Sequence, residues 1–149
     1  MTSPPDVHDL ARFVTAQARN YADAIAELRA GRKLTHWSWY VLPQLAGLGA
    51  SPLSVRYAIS GLDEARAYLS HPLLGRRLRE CIDAMNALQG ADAAAVLGGI
   101  DALKFHSCVT LFARVAEPGS PFHAALAKYF GGREDPGTCA ILARQEKAR

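Results

Sequence analysis

Two groups of residues in this 149-residue chain have the types and spacing to do chemistry. The first lies between Gly31 and Ser51, in GRKLTHWSWYVLPQLAGLGAS, which holds both tryptophans with a histidine, a tyrosine and a glutamine. Aromatic faces interleaved with polar tips, on a connection between helices, are how a concave site is often lined. Trp37 and Trp39 point the same way if the segment is extended and diverge if it is helical. In the extended case a planar ring would stack there, with His36 and Gln44 at its edge. The second group is Asp101, Lys104 and Ser107, at i, i+3 and i+6 near the start of an apolar segment. An ammonium and a hydroxyl at a helix start suit an anion, because the helix dipole is positive there.

Each group also has a structural reading, and both readings stay open at this point. Trp37, Trp39 and Tyr40 would anchor the connection onto the core. Asp101 would cap its helix, Lys104 would reach solvent or a carboxylate, and the hydroxyls would bond to the preceding turn. On the functional reading the ligand contacts are Arg32, His36, Trp37, Trp39, Gln44, Lys104 and Ser107, with His36 or Asp101 as the proton-transfer candidate. A further basic group, Lys33, Arg76, Arg77, Arg79 and Arg133, lies at or near expected helix ends, with Arg76 and Arg77 a few residues inside theirs.

Absent patterns narrow the chemistry. No HExxH, histidine pair at i, i+4, phosphate-binding GxxxxGK[ST], strand-linked GxGxxG or GxSxG occurs. Cys108 sits among apolar residues and reads as packing, not as a nucleophile. No metal, no cofactor and no reaction are assigned.

The elements that must position these groups are helices. Half the residues are hydrophobic and 21% are charged, which excludes a disordered chain. Net charge is +3 with the cations dispersed, so a nucleic-acid stripe is not expected. Three cysteines without CxxC spacing read as reduced thiols. The opening MTSPPDVHDLARF shows no basic-then-apolar pattern, and no apolar run reaches a membrane span, so a soluble cytoplasmic protein is expected. Ser51-Pro52, Ser120-Pro121 and Asp135-Pro136 pair a cap with a proline at the first helical position. His71-Pro72 has the proline without a strong cap, and Gly31, Gly90 and Gly131 mark ends.

Apolar spacing between these marks predicts helices over 9–18 and 21–30, the two being one if Asn20 does not cap. Further helices are predicted over 52–59, 62–69, 72–88, 92–97, 101–115, 121–130 and 136–144. Ser60 and Asp63 stand in a capping-box-like relation. A single strand over Trp39–Leu42 would have nothing to pair with, so none is assigned. The expectation is an all-α, irregular orthogonal bundle of seven or eight short helices, with no sheet. It forms a single domain over 1–149, with a core over 9–143 and short flexible ends.

The ordered segments HWSWYVLPQLAGLGAS, YAISGLDEARAYLSHPLLGRRLRE, DALKFHSCVTLF and KYFGGREDPGT resemble the bacterial domain of unknown function 1810 family, over about Asp9 to Ala143. Positions matching its pattern are His36, Trp37, Trp39, Pro43, Gln44, Gly47, Gly49, His71, Pro72, Gly75, Lys104, Ser107, Thr110, Phe112 and Asp135. The chain departs at Ser38, where the pattern has Met, and at Cys108-Val109, where it has Ser-Met. The resemblance implies a compact, mainly helical fold and no established activity. A calpastatin-like label attached to the family does not suit this chain, because such inhibition belongs to extended disordered repeats.

Two functions follow as expectations. One is a pocket for a small planar anion, such as a nucleotide or an ADP-ribose-like group, where the tryptophan connection meets the Asp101 helix. The other is a non-enzymatic interaction module in which the connection is structural. A monomer is favoured.

Overall fold

The computed structural model describes residues 5–90 and 92–148. Among them the chain forms nine helices: α1 (Ala11–Ala30), α2 (Ser38–Val41), α3 (Pro52–Arg56), α4 (Leu62–Ser70), α5 (Leu74–Ala87), α6 (Ala93–Leu97), α7 (Gly99–Ala113), α8 (Pro121–Phe130) and α9 (Pro136–Lys147). No sheet forms among the described residues, and one isolated parallel bridge joins Leu45 to Ile59. The fold is all-α.

Helix starts follow local chemistry where a small polar residue precedes proline. Ser51, Ser120 and Asp135 each accept a hydrogen bond from the amide three residues on, satisfying a donor that the first turn leaves unpaired. Asp92 does the same for α6 without a proline. At His71-Pro72 the imidazole supplies the missing cap, its Nδ1 accepting from the Leu73 and Leu74 amides, and α5 begins two residues later than expected.

Of the two alternatives left open for the first two predicted helices, one continuous helix forms, α1, because the Asn20 side chain donates to the Tyr40 hydroxyl instead of capping. No strand forms over Trp39–Leu42; residues 38–41 turn once as α2. One expectation is corrected. The carboxylate reaching back to Ser60 is Glu64, bonded to its amide and hydroxyl at 3.0 and 2.9 Å, not Asp63. Flexible ends were expected partly at residues that lie outside the described ones. Asp6 fixes the start of α1 through the Leu10 and Ala11 amides, and α9 continues to Lys147, past the expected core limit.

Helix α7 is the centre, packing against α4, α6, α8 and α9. Phe105, Cys108, Val109, Leu111 and Phe112 are fully buried on it. The Phe112 ring lies 5.4 Å from Tyr68 and 5.7 Å from Phe122, which ties α4 and α8 to it. The three thiols are unbridged, and burial pushes the Cys81 thiol up to about 12, leaving it inert at neutral pH. No helix among the described residues is long and apolar enough to cross a membrane.

Gly75 is required where α5 crosses the end of α4. A Cβ there would lie 2.0 Å from the Leu69 carbonyl oxygen, which is backbone and cannot swing aside. Gly75→Ala is expected to cost about 2–3 kcal/mol by overpacking, read as a lower melting temperature. Unchanged melting would show that the two helices separate easily.

Candidate functional site

The connection leaves α1 through Gly31, at φ +78°, and is drawn back onto the helix it has just left. Glu27 does the drawing. Its Oε1 accepts from the Leu34 amide at 2.6 Å, the Thr35 amide at 2.9 Å and the Trp37 indole Nε1 at 3.1 Å. Its Oε2 accepts from the Thr35 hydroxyl at 2.7 Å. Glu27 is 9% exposed. Burial pushes its carboxyl pKa up, but the bonds from Thr35, Leu34 and Trp37 outweigh that and hold it at about 2.

Held in this way, Trp37 has no exposed surface and anchors the connection. It offers no ring face for stacking in this arrangement. The helical turn α2 makes the two indoles diverge, so Trp39 is left half-buried at the rim.

The junction of α6 and α7 meets the connection from the other side. The Lys33 amide donates to the Val96 carbonyl at 2.8 Å, and its ammonium lies 2.9 Å from Asp101 Oδ2 and 5.0 Å from the centre of Trp37. The Lys104 ammonium lies 3.7 Å from Asp101 Oδ1 and 4.9 Å from the centre of Trp39. Trp39, Asp101 and Lys104 therefore stand together, and two ammonium groups share one carboxylate. Arg32 and His36 are exposed on the connection, and neither side chain has a partner among the described residues.

Two expected contacts have other work. Ser107 Oγ donates to Leu103 O at 3.1 Å and to Asp135 Oδ2 at 3.3 Å. The same Asp135 oxygen takes the Thr138 amide and hydroxyl, while the Asp135 amide donates to Thr110 Oγ1. Ser107 and Thr110 thus clamp the start of α9 onto α7. Gln44 pairs through its backbone, its carbonyl accepting from the Ile59 amide at 2.9 Å, and its side-chain amide lies against Gly49.

Two concavities, of ≈ 770 and ≈ 390 Å³, lie elsewhere. The larger runs between the start of α4 and α9, past Leu62, Arg114, Cys139 and Leu142; the smaller lies along α1 and α5, at Arg29, Glu80 and Asp83. Neither is lined by a residue of the connection. Among the described residues no cluster of three His, Cys, Asp or Glu side chains is placed to hold a metal.

Sequence reasoning missed Glu27 and undervalued Lys33. A signal for Glu27 existed: a carboxylate in the last turn of a helix faces the negative end of the dipole, so it belongs there only if donors outside the helix meet it.

Comparison with known proteins agrees with this architecture. A crystal structure of the conserved hypothetical protein Rv1873 from Mycobacterium tuberculosis is similar, with TM-score 0.88 and 56% identity, over 91% of this chain and 96% of that one. No functionally curated protein matches significantly. A family model described as a protein of unknown function, DUF1810, matches residues 7–142. The chain belongs to the DUF1810 family.

Proposed function

We propose that the protein binds a small planar anion, of the nucleotide or ADP-ribose-like class, at the open corner formed by Arg32, His36, Trp39 and Lys104. The observation that carries this reading is the Lys104 ammonium over the half-exposed Trp39 ring, with Lys33 and Lys104 both paired to Asp101 and with Arg32 exposed on the connection. Lys104 is half-buried against the ring, and turning its ammonium to a phosphate would leave the indole face for a base. No reaction is assigned. Asp101 is held by two ammonium groups, and no partner among the described residues orients His36.

Thermal shift with ATP, ADP-ribose and inorganic triphosphate tests this. A ligand at 100 times its dissociation constant adds about 2.7 kcal/mol, or roughly 5–10 °C. Lys104→Ala and Arg32→Ala are expected to abolish the shift without lowering the melting point of the unliganded protein. No shift with any of the three probes rejects the reading.

A second reading, an interaction module, is favoured by one observation: Leu34, Ile100 and Leu103, beside the same corner, are 67%, 75% and 68% exposed.

A further inference from the structure

We infer that His71 is a pH-sensitive clasp at the junction of α4 and α5, holding the start of α5 while its ring is unprotonated and releasing it on protonation. The geometry is that of a helix cap. His71 is extended, at φ −66° and ψ 128°, between the last residue of α4 and Pro72. Its Nδ1 accepts from the Leu73 amide at 3.1 Å and the Leu74 amide at 3.2 Å, and its carbonyl accepts from the Gly75 amide at 2.9 Å. Caps are ordinarily Ser, Thr, Asp or Asn, whose oxygens still accept at mildly acidic pH. An imidazole nitrogen accepts only while it carries no proton, and histidine ordinarily titrates between about pH 5 and 8. A protonated Nδ1 is a donor facing two donors. The hold on α5 is therefore present above that range and is lost as pH falls through it.

Neighbouring charge acts on the ring from the α1 side. On α4, Asp63 pairs with Arg66 and Glu64 with Arg12. On α5, Arg76 pairs with Glu80, Arg77 lies over the Tyr21 ring and Arg79 pairs with Glu117. Ahead of α1 stands Asp6, whose carboxyl is held below its ordinary range by the Ala11 and Leu10 amides and then by the charges of His71 and Arg12. Asp6 is thus the carboxylate that meets an imidazolium here. Release matters because the junction is tight. Leu74 has no exposed surface, Gly75 lies against the Leu69 carbonyl, and α5 packs on α1, α4 and α8. An uncapped first turn, with its amides unpaired, frays at that point.

The test is an NMR titration of the His71 ring in the full chain, with amide hydrogen exchange, between about pH 8 and 5.5. As the ring protonates, protection of the Leu73 and Leu74 amides, with intrinsic exchange divided out, is expected to fall about fivefold, the usual worth of a cap. His71→Asn supplies a cap oxygen that does not titrate, so the same amides are expected to stay level in that variant. Asp6→Asn keeps an acceptor for α1 and removes the charge, so the fall is expected at lower pH. The clasp is overturned if the ring titrates while both amides keep their protection, or if the ring stays unprotonated throughout. Both of those outcomes are read on the parent alone. Protection lost in parallel by His71→Asn assigns the effect to other groups and also overturns it. A fall at unchanged pH in Asp6→Asn keeps the clasp and overturns the part given to Asp6.

Discussion

Glu27→Ala is expected to lower stability by about 3–5 kcal/mol and the melting temperature by roughly 10 °C or more. The substitution leaves the Leu34 and Thr35 amides, the Thr35 hydroxyl and the Trp37 indole without their acceptor, and a buried donor left unpaired costs ~1–3 kcal/mol. Glu27→Gln separates charge from shape. Its carbonyl oxygen can keep the three bonds at Oε1, and its amide nitrogen can face the Thr35 oxygen, so a smaller loss of about 1–2 kcal/mol is expected. The two differ again in acid. The Glu27 carboxyl titrates near 4.5 when unfolded and about 2 when folded, so the unfolded chain binds the proton first. Its stabilisation is complete above pH 4.5 and is lost as pH falls through that value towards 2. The gap between the parent and Glu27→Gln should therefore close over that interval in denaturant titrations. A constant gap would mean that the carboxylate charge contributes nothing.

The same residue explains what the chain's pattern reveals and what it hides. Ends set by neighbouring residues were legible. Ser120 and Pro121 start α8 and Gly131 closes it at Phe130, because cap, proline and left-handed glycine act within one turn. Ends set across space were not. Asn20 has the chemistry of a cap, but Tyr40, brought near by folding, offers its hydroxyl, and α1 runs on through it. Trp37 and Trp39 are alike in type and differ in fate because Glu27 captures one indole and the turn α2 sends the other outward. That the tryptophan connection would meet the start of α7 was legible from the two polar groups, and Lys104 with Trp39 shows the meeting. That Ser107 would instead hold Asp135 was not, since its partner lies 28 residues away. Local chemistry marks who can cap or stack, and packing decides who does.

Arg12→Ala is expected to cost about 3–5 kcal/mol, because it strands a buried carboxylate. The guanidinium lies 2.8 Å from Glu64, and the two side chains are 12% and 4% exposed. It also donates to the carbonyls of His8, Asp9, Arg56 and Ala58, a fan of bonds that joins the start of α1 to the segment leading into α4. Lysine places three donors at one point and cannot span that fan, so Arg12→Lys should recover less than half the loss. Glu64→Gln neutralises the stranded group while keeping an acceptor for Ser60, so the double variant Arg12→Ala/Glu64→Gln should be more stable than the two losses added together. A coupling of about 1–3 kcal/mol in that cycle is expected, and strict additivity would show that the ion pair is not the source of the effect. The consequence reaches the candidate site. Residues 44–46, the far part of the connection, bond to Ile59, which Arg12 holds in place through the flanking Ala58 carbonyl and Glu64. Glu27 fixes the near end of the connection and the Arg12–Glu64 pair its far end. Loss of Arg12 should therefore loosen the Ala46 and Ile59 amides in hydrogen exchange while leaving the Leu34 and Thr35 amides protected by Glu27.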